Sequence, residues 1–145
     1  MLKIILISHG PFCVGLLKTL NMIVGNTTVS AIPLNEGEDP NQYRQKLERE
    51  VSKNSNGDQV LVFCDLKGGT PYNTAAYLSN RYKINIVTGM NLPMLIAVIT
   101  DFDSNPDINF AIKVVENTNN QGISVITPRD IGGHKNEKLS IDKSR

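Results

Sequence analysis

Two stretches of nearly uninterrupted apolar residues, Leu2 to Ile7 and Val60 to Cys64, set the strongest limit on how this chain can fold. A strand with water on one face alternates apolar and polar side chains. Unbroken apolar runs of this length instead mark a parallel strand that helices cover on both faces. Each run stops at a polar residue and a glycine turn, Ser8-His9-Gly10 in the first case and Asp65 to Gly69 in the second, and each turn leads into a helical pattern. Parallel strands require such crossovers. The first run lacks a small-residue cleavage site, so it is a buried strand and not the core of a secretory signal.

The rest of the chain repeats the scheme. Cys13, Leu16, Leu17, Leu20, Ile23 and Val24 recur at helical spacing, and Gly25 ends that helix. Val29, Ala31 and Ile32 form a second strand. Asp39 caps a helix with Pro40 at its first position and Tyr43, Leu47 and Val51 on one face. After Asn54 to Gly57 turns the chain into the Val60 strand, Gly68-Gly69-Thr70-Pro71 opens a third helix, with Thr70 expected as N-cap and Pro71 as first helical residue. Ile84, Ile86 and Val87 make a fourth strand, Asn91-Leu92-Pro93 starts another helix, and Ile108, Ala111, Ile112 and Val115 mark a fifth. Ile123 to Ile126 is expected to be a last short strand.

This alternation predicts an α/β fold, a doubly wound, mainly parallel sheet of order 2-1-3-4 with helices on both faces. Residues 1–128 make one domain, and 129–145 a polar tail expected to be loosely ordered. In the order 2-1-3-4 the winding reverses between the first and third strands, which opens a crevice above their carboxyl ends. His9 and Asp65 border it.

Fifteen basic against 14 acidic residues leave a formal charge of +1, which gives no basis for binding nucleic acid. No apolar stretch reaches the roughly 18 to 20 residues that cross a bilayer, so no direct membrane insertion is expected. Cys13 and Cys64 are too few for a disulfide scaffold and fit a reducing compartment, by default the cytoplasm. The chain has no GxxxxGK[ST] loop, no GxGxxG and no acidic cluster, so neither a nucleotide cofactor nor a metal is expected. His9, Cys13 and Cys64 could be drawn together as a metal or redox site, but no CxxC or HxxxH pattern supports it.

Neighbouring strands lie about 4.8 Å apart, so His9 and Asp65 can meet across the crevice. A carboxylate there fixes which ring nitrogen holds the proton and stabilises positive charge on the ring, making the imidazole a general base or a nucleophile. Gly68, Gly69 and Thr70 lead into a helix N-terminus, whose free N–H groups favour an anion; this points to a nucleophile acting on a phosphoryl group. Asp65 and Thr70 could also serve only as caps.

Four motifs, each at the carboxyl end of a strand, carry a family resemblance: Ser8-His9-Gly10, Asn35-Glu36-Gly37-Glu38, Asp65 through Asn73, and Gly89-Met90-Asn91-Leu92-Pro93-Met94-Leu95. From Leu2 to about Thr127 the chain resembles the enzyme IIA component of the mannose-type (mannose/fructose/sorbose) sugar phosphotransferase system. The resemblance implies a phosphohistidine carrier in which His9 accepts a phosphoryl group from the histidine phosphocarrier protein and passes it to a IIB component. It implies that Asp65 orients His9, that Thr70 stands near the phosphate, and that Asn91, Leu92, Pro93 and Met94 wall the site. It further implies a homodimer in which Ile123 to Ile126 pairs with the other subunit. The linker and IIB domain of fused relatives do not follow Arg145, so IIB is expected on a separate chain. Lys67 stands where relatives often carry a bulky apolar residue, and Thr70 replaces a serine. Two other readings stay open on the residues: a phosphoryl donor subunit for a dihydroxyacetone kinase, and a non-catalytic module that binds a phosphate ligand.

Overall fold

The computed structural model describes residues 2–53, 58–102 and 107–131. Its four strands, β1 (Lys3–His9), β2 (Ser30–Leu34), β3 (Val60–Cys64) and β4 (Ile84–Thr88), form one parallel sheet in the order β2-β1-β3-β4. The crossovers are α1 (Phe12–Val24), α2 (Pro40–Ser52) and α3 (Gly69–Leu78), and α4 (Leu92–Phe102) and α5 (Ile108–Glu116) follow β4. This is the sheet order expected from the crossover pattern.

The two apolar runs are buried because each supplies both faces of the sheet. Leu2, Ile4, Leu6, Leu61 and Phe63 pack with Cys13 and Leu20 of α1, Met94, Leu95 and Val98 of α4, and Ala111 and Val115 of α5. The intervening Ile5, Ile7, Val60, Val62 and Cys64 pack with Tyr43, Leu47 and Val51 of α2 and Ala75 and Leu78 of α3. Full burial of one such leucine or isoleucine stabilises the fold by about 2 kcal/mol. The α2 face therefore does more for stability than its polar composition suggests. Asp39 caps α2 as predicted, its carboxylate accepting from the N–H groups of Asn41 and Gln42, with Pro40 at the first position.

The amino end of the sheet is tied by Glu50. Its carboxylate lies 2.7 Å from Lys3 Nζ of β1, accepts from Ser30 Oγ of β2 at 2.8 Å, and meets Lys53 at 3.1 Å. At the carboxyl end the register matters more. Ile7 stands opposite Cys64, the last residue of β3, while Ser8 and His9 continue beside Pro33 and Leu34 of β2. β1 thus outruns β3 by two residues, and a side chain following β3 can bond to the β1 backbone where the ladder has ended.

Two expectations are corrected. Thr70 is not the N-cap of α3: the helix begins at Gly69, and no side chain caps it. Gly68 and Gly69, both at positive φ, carry the chain into the helix, so Thr70 already lies within the first turn, past the position from which a side chain reaches those N–H groups. Ile123 to Ile126 forms no strand within the chain, and its apolar side chains are exposed. A strand needs an edge to pair with, and the segment follows the 3-10 turn Thr118–Gln121, which itself packs on α4 and α5. Residues 128–131 form one helical turn, closed by Asp130 accepting from Thr127. The rest of the expected flexible tail, and the turn from Asn54 to Gly57, lie outside the described residues.

Candidate active site

His9 and Asp65 meet as the strand order predicts. One carboxylate oxygen, Asp65 Oδ2, accepts from the backbone N–H of His9 at 2.9 Å and lies 2.8 Å from His9 Nδ1. The other, Oδ1, accepts from Leu66 N–H at 2.8 Å and has the Cys64 thiol at 3.4 Å. The His9 side chain is 46% exposed and that of Asp65 only 13%, so the imidazole is reachable while its orienting carboxylate is shielded. Burial opposes ionisation of Asp65, but the hydrogen bonds from His9, Cys64 and Leu66 outweigh it and hold the carboxyl below the usual carboxylate range. The carboxylate is therefore charged at neutral pH, and Nδ1 carries the proton it binds.

That tautomer leaves the lone pair on Nε2, which lies against the start of α3. A Cβ at Gly69 would stand 2.7 Å from Nε2 and 2.8 Å from Cε1, closer than side-chain carbons approach. Gly69 is thus required twice, for its φ of +81° and for the open space it leaves at the nitrogen. The first-turn N–H groups of α3 carry no side-chain cap, and the half-buried Thr70 follows Gly69 in that turn. A nucleophilic nitrogen, a charged orienting carboxylate and uncapped helix N–H groups together suit attack on, and retention of, a phosphoryl group.

Ser8, quoted above only as part of a motif, proves to hold the turn. Fully buried, its hydroxyl donates to Gly10 C=O at 2.9 Å and accepts from Cys13 N–H at 2.8 Å, while Gly10 N–H bonds to Leu34 C=O at 2.7 Å. A polar residue closing an otherwise apolar strand was the signal for it.

The remaining predicted residues divide. Gly68 and Gly69 lie at the site, and Asn91 caps α4 by accepting from Met94 N–H at 3.0 Å. Leu92 is half-buried, and Pro93 is exposed with its ring against Gly122, where a Cβ would come within 2.3 Å. Met94 is buried in the apolar core. These four stand past β4, one strand beyond β3. Both cysteines are buried thiols whose burial raises their pKa, Cys64 to about 12, so neither is a thiolate at neutral pH. Among the described residues no group of His, Cys, Asp or Glu side chains is arranged to hold a metal.

Residues 3–116 match the family model described as the PTS system fructose IIA component, of the mannose-type EIIA group. The chain belongs to this family. It is 30% identical over 102 residues, 69% of this chain and 70% of the relative, to the PTS system fructose-specific EIIA component of Bacillus subtilis. It is 24% identical over 132 residues to the mannose-specific EIIAB component of Escherichia coli, 90% of this chain but 41% of that longer protein. Among solved structures it superposes on phosphotransferase system component EIIA from Streptococcus agalactiae with a TM-score of 0.77 and 33% identity, covering 86% of this chain and 97% of that one. It is accordingly a mannose-type IIA protein of the sugar phosphotransferase system, whose members transfer phosphoryl groups in sugar uptake and work with phosphocarrier and IIB partners. No helix among the described residues is long and apolar enough to cross a membrane.

Proposed function

We propose that this IIA protein takes a phosphoryl group from the histidine phosphocarrier protein onto Nε2 of His9 and passes it to a histidine of a IIB partner on a separate chain. The observation that carries the reading is the 2.8 Å contact between His9 Nδ1 and Asp65 Oδ2, which in the neutral ring places the proton on Nδ1 and the lone pair on Nε2, beside the open space at Gly69. In each transfer the lone pair of the receiving nitrogen forms a new N–P bond as the N–P bond of the donor breaks. The departing imidazole keeps the electron pair, and no cofactor or metal is called for. Asp65 stabilises the positive charge that builds on His9 as its bond to phosphorus forms. Gly68, Gly69 and Thr70 supply donors to the phosphoryl oxygens, and Asn91 and Leu92 form the far wall. Phe12 and Leu66, each half-exposed, offer apolar surface beside the histidine to a docking protein.

We also infer a homodimer, in which the segment from Ile123 to Ile126 adds to the partner subunit. The support is that Ile123 and Val125 are more than four-fifths exposed in the single chain, a costly state for apolar side chains.

The test is incubation with phosphoenolpyruvate, enzyme I and the phosphocarrier protein. One acid-labile phosphate per chain is expected, absent from His9→Ala. Asp65→Asn should keep the fold and slow labelling by about two orders of magnitude, the typical worth of a group that orients and charges a catalytic imidazole. Labelling of folded His9→Ala would overturn the assignment.

A further inference from the structure

Beside the site, between the first turns of α2 and α3, lies a groove of about 250 Å³ lined by Asn41, Arg44, Thr70, Asn73, Thr74 and Tyr77. We propose that this groove takes a carboxylate from an acidic surface segment of the protein that exchanges a phosphoryl group with His9. The inference rests on the function proposed above and assigns part of the docking surface for it.

Arg44 is half-buried, and its guanidinium carbon stands 5.2 Å from the centre of the Tyr77 ring. Among the described residues this ring contact is its one charge-compensating interaction, and no carboxylate pairs with it. Glu48, the acid nearest in sequence, is paired with Arg81 and accepts from the Tyr82 hydroxyl, and Asp39 is committed to the N–H groups of Asn41 and Gln42 as the cap of α2. A guanidinium held over an aromatic ring keeps its N–H fork free, and that fork matches a carboxylate. The other polar groups of the groove are neutral: the carboxamides of Asn41 and Asn73 and the hydroxyls of Thr70, Thr74 and Tyr77. One cation amid neutral donors balances one monoanionic side chain, and the open shape suits a group presented from another surface.

The location ties the groove to phosphoryl exchange. Thr70 lines it and directly follows Gly69, the residue against His9 Nε2. A partner whose carboxylate is seated on Arg44 would be anchored one residue from the turn that faces the reacting nitrogen. Charge on the rim of such an interface acts chiefly on encounter and register, and much less on the chemistry.

The experiment measures KM and kcat for two exchanges: from the phosphorylated histidine phosphocarrier protein to His9, and from phosphorylated His9 to IIB. Wild type, Arg44→Ala, Arg44→Lys and Asn73→Asp are compared. Labelling by phosphoramidate, a small donor that loses ammonia as its P–N bond breaks, is run beside them. For Arg44→Ala, KM is expected to rise roughly tenfold in one or both protein exchanges, the worth of one charge-assisted hydrogen bond. Its kcat and its phosphoramidate labelling are expected to match wild type. Arg44→Lys should fall between the two, and Asn73→Asp, which places a fixed carboxylate in the groove, should also raise KM. Unchanged KM in both protein exchanges overturns the proposal. So does a parallel loss of phosphoramidate labelling, which would make the groove a small-anion site or a support for His9. Wild-type protein that neither donor labels would refute the phosphohistidine reading itself, and the groove's role with it.

Discussion

Substituting Gly69 by alanine tests the geometry of the site more sharply than removing the histidine, because it leaves every reacting group in place. Two costs follow from the structure. The φ of +81° lies in the left-handed region, where an L side chain costs about 1 to 2 kcal/mol. The new methyl would also stand 2.7 Å from Nε2, so the ring must swing aside. Swinging it breaks the contact between Nδ1 and Asp65 Oδ2, a charge-assisted bond worth about 1.5 to 3 kcal/mol. The ring sits at the surface and can move without unpacking the core, so the loss of stability should be limited to these two costs, about 2.5 to 5 kcal/mol together. The attack geometry loses the whole preference for the oriented ring, which predicts transfer slower by about 10- to 100-fold. Urea unfolding followed by circular dichroism measures the first effect, and single-turnover labelling from the phosphocarrier protein the second. A folded Gly69→Ala protein that labels at the wild-type rate would show that Nε2 does not react in the orientation described.

Ser8→Ala leaves the buried N–H of Cys13 without its acceptor; unfolding should become easier by about 1 to 3 kcal/mol, with slower labelling because the turn carrying His9 loosens. Glu50 is opposed by burial yet driven down to about 2 by Lys3, Ser30 and Lys53. A depressed carboxylate adds stability that is complete above its unfolded value and lost as pH falls through the folded one, so urea midpoints of wild type and Glu50→Gln should differ at neutral pH and converge between about pH 4.5 and 2. With solvent screening the gap at neutral pH should be about 1 kcal/mol, and equal midpoints across that range would discount the tie. The double substitution Ile123→Asp and Val125→Asp should shift the protein from dimer to monomer in sedimentation without unfolding the domain, whereas an unchanged mass would rule out that segment as the interface.

What could be read from the sequence was what local patterning decides. Leu2 to Ile7 and Val60 to Cys64 announced two-sided burial, which with the crossovers left one sensible sheet order and set His9 opposite Asp65. Asp39-Pro40 announced its helix because cap and first residue are adjacent. Thr70 misled for the converse reason: threonine before proline looks like a cap, but the backbone had already turned at Gly68 and Gly69. The stacking of Arg44 on Tyr77 was invisible, since it joins two helices 33 positions apart through side chains that are individually ordinary. Ile123 to Ile126 has the composition of a strand, yet strand formation depends on a partner edge that composition does not supply.

The double engagement of Asp65 Oδ2 has a consequence for how such a relay is read by other proteins. The same oxygen holds both the main chain and the ring of His9, so the imidazole and the end of β1 share one anchor. Loading the histidine would then change its charge while leaving its position nearly fixed. On the proposed phosphorylation of His9, a docking protein is then expected to read the charge and bulk of the added phosphoryl group, with little rearrangement of the backbone around it.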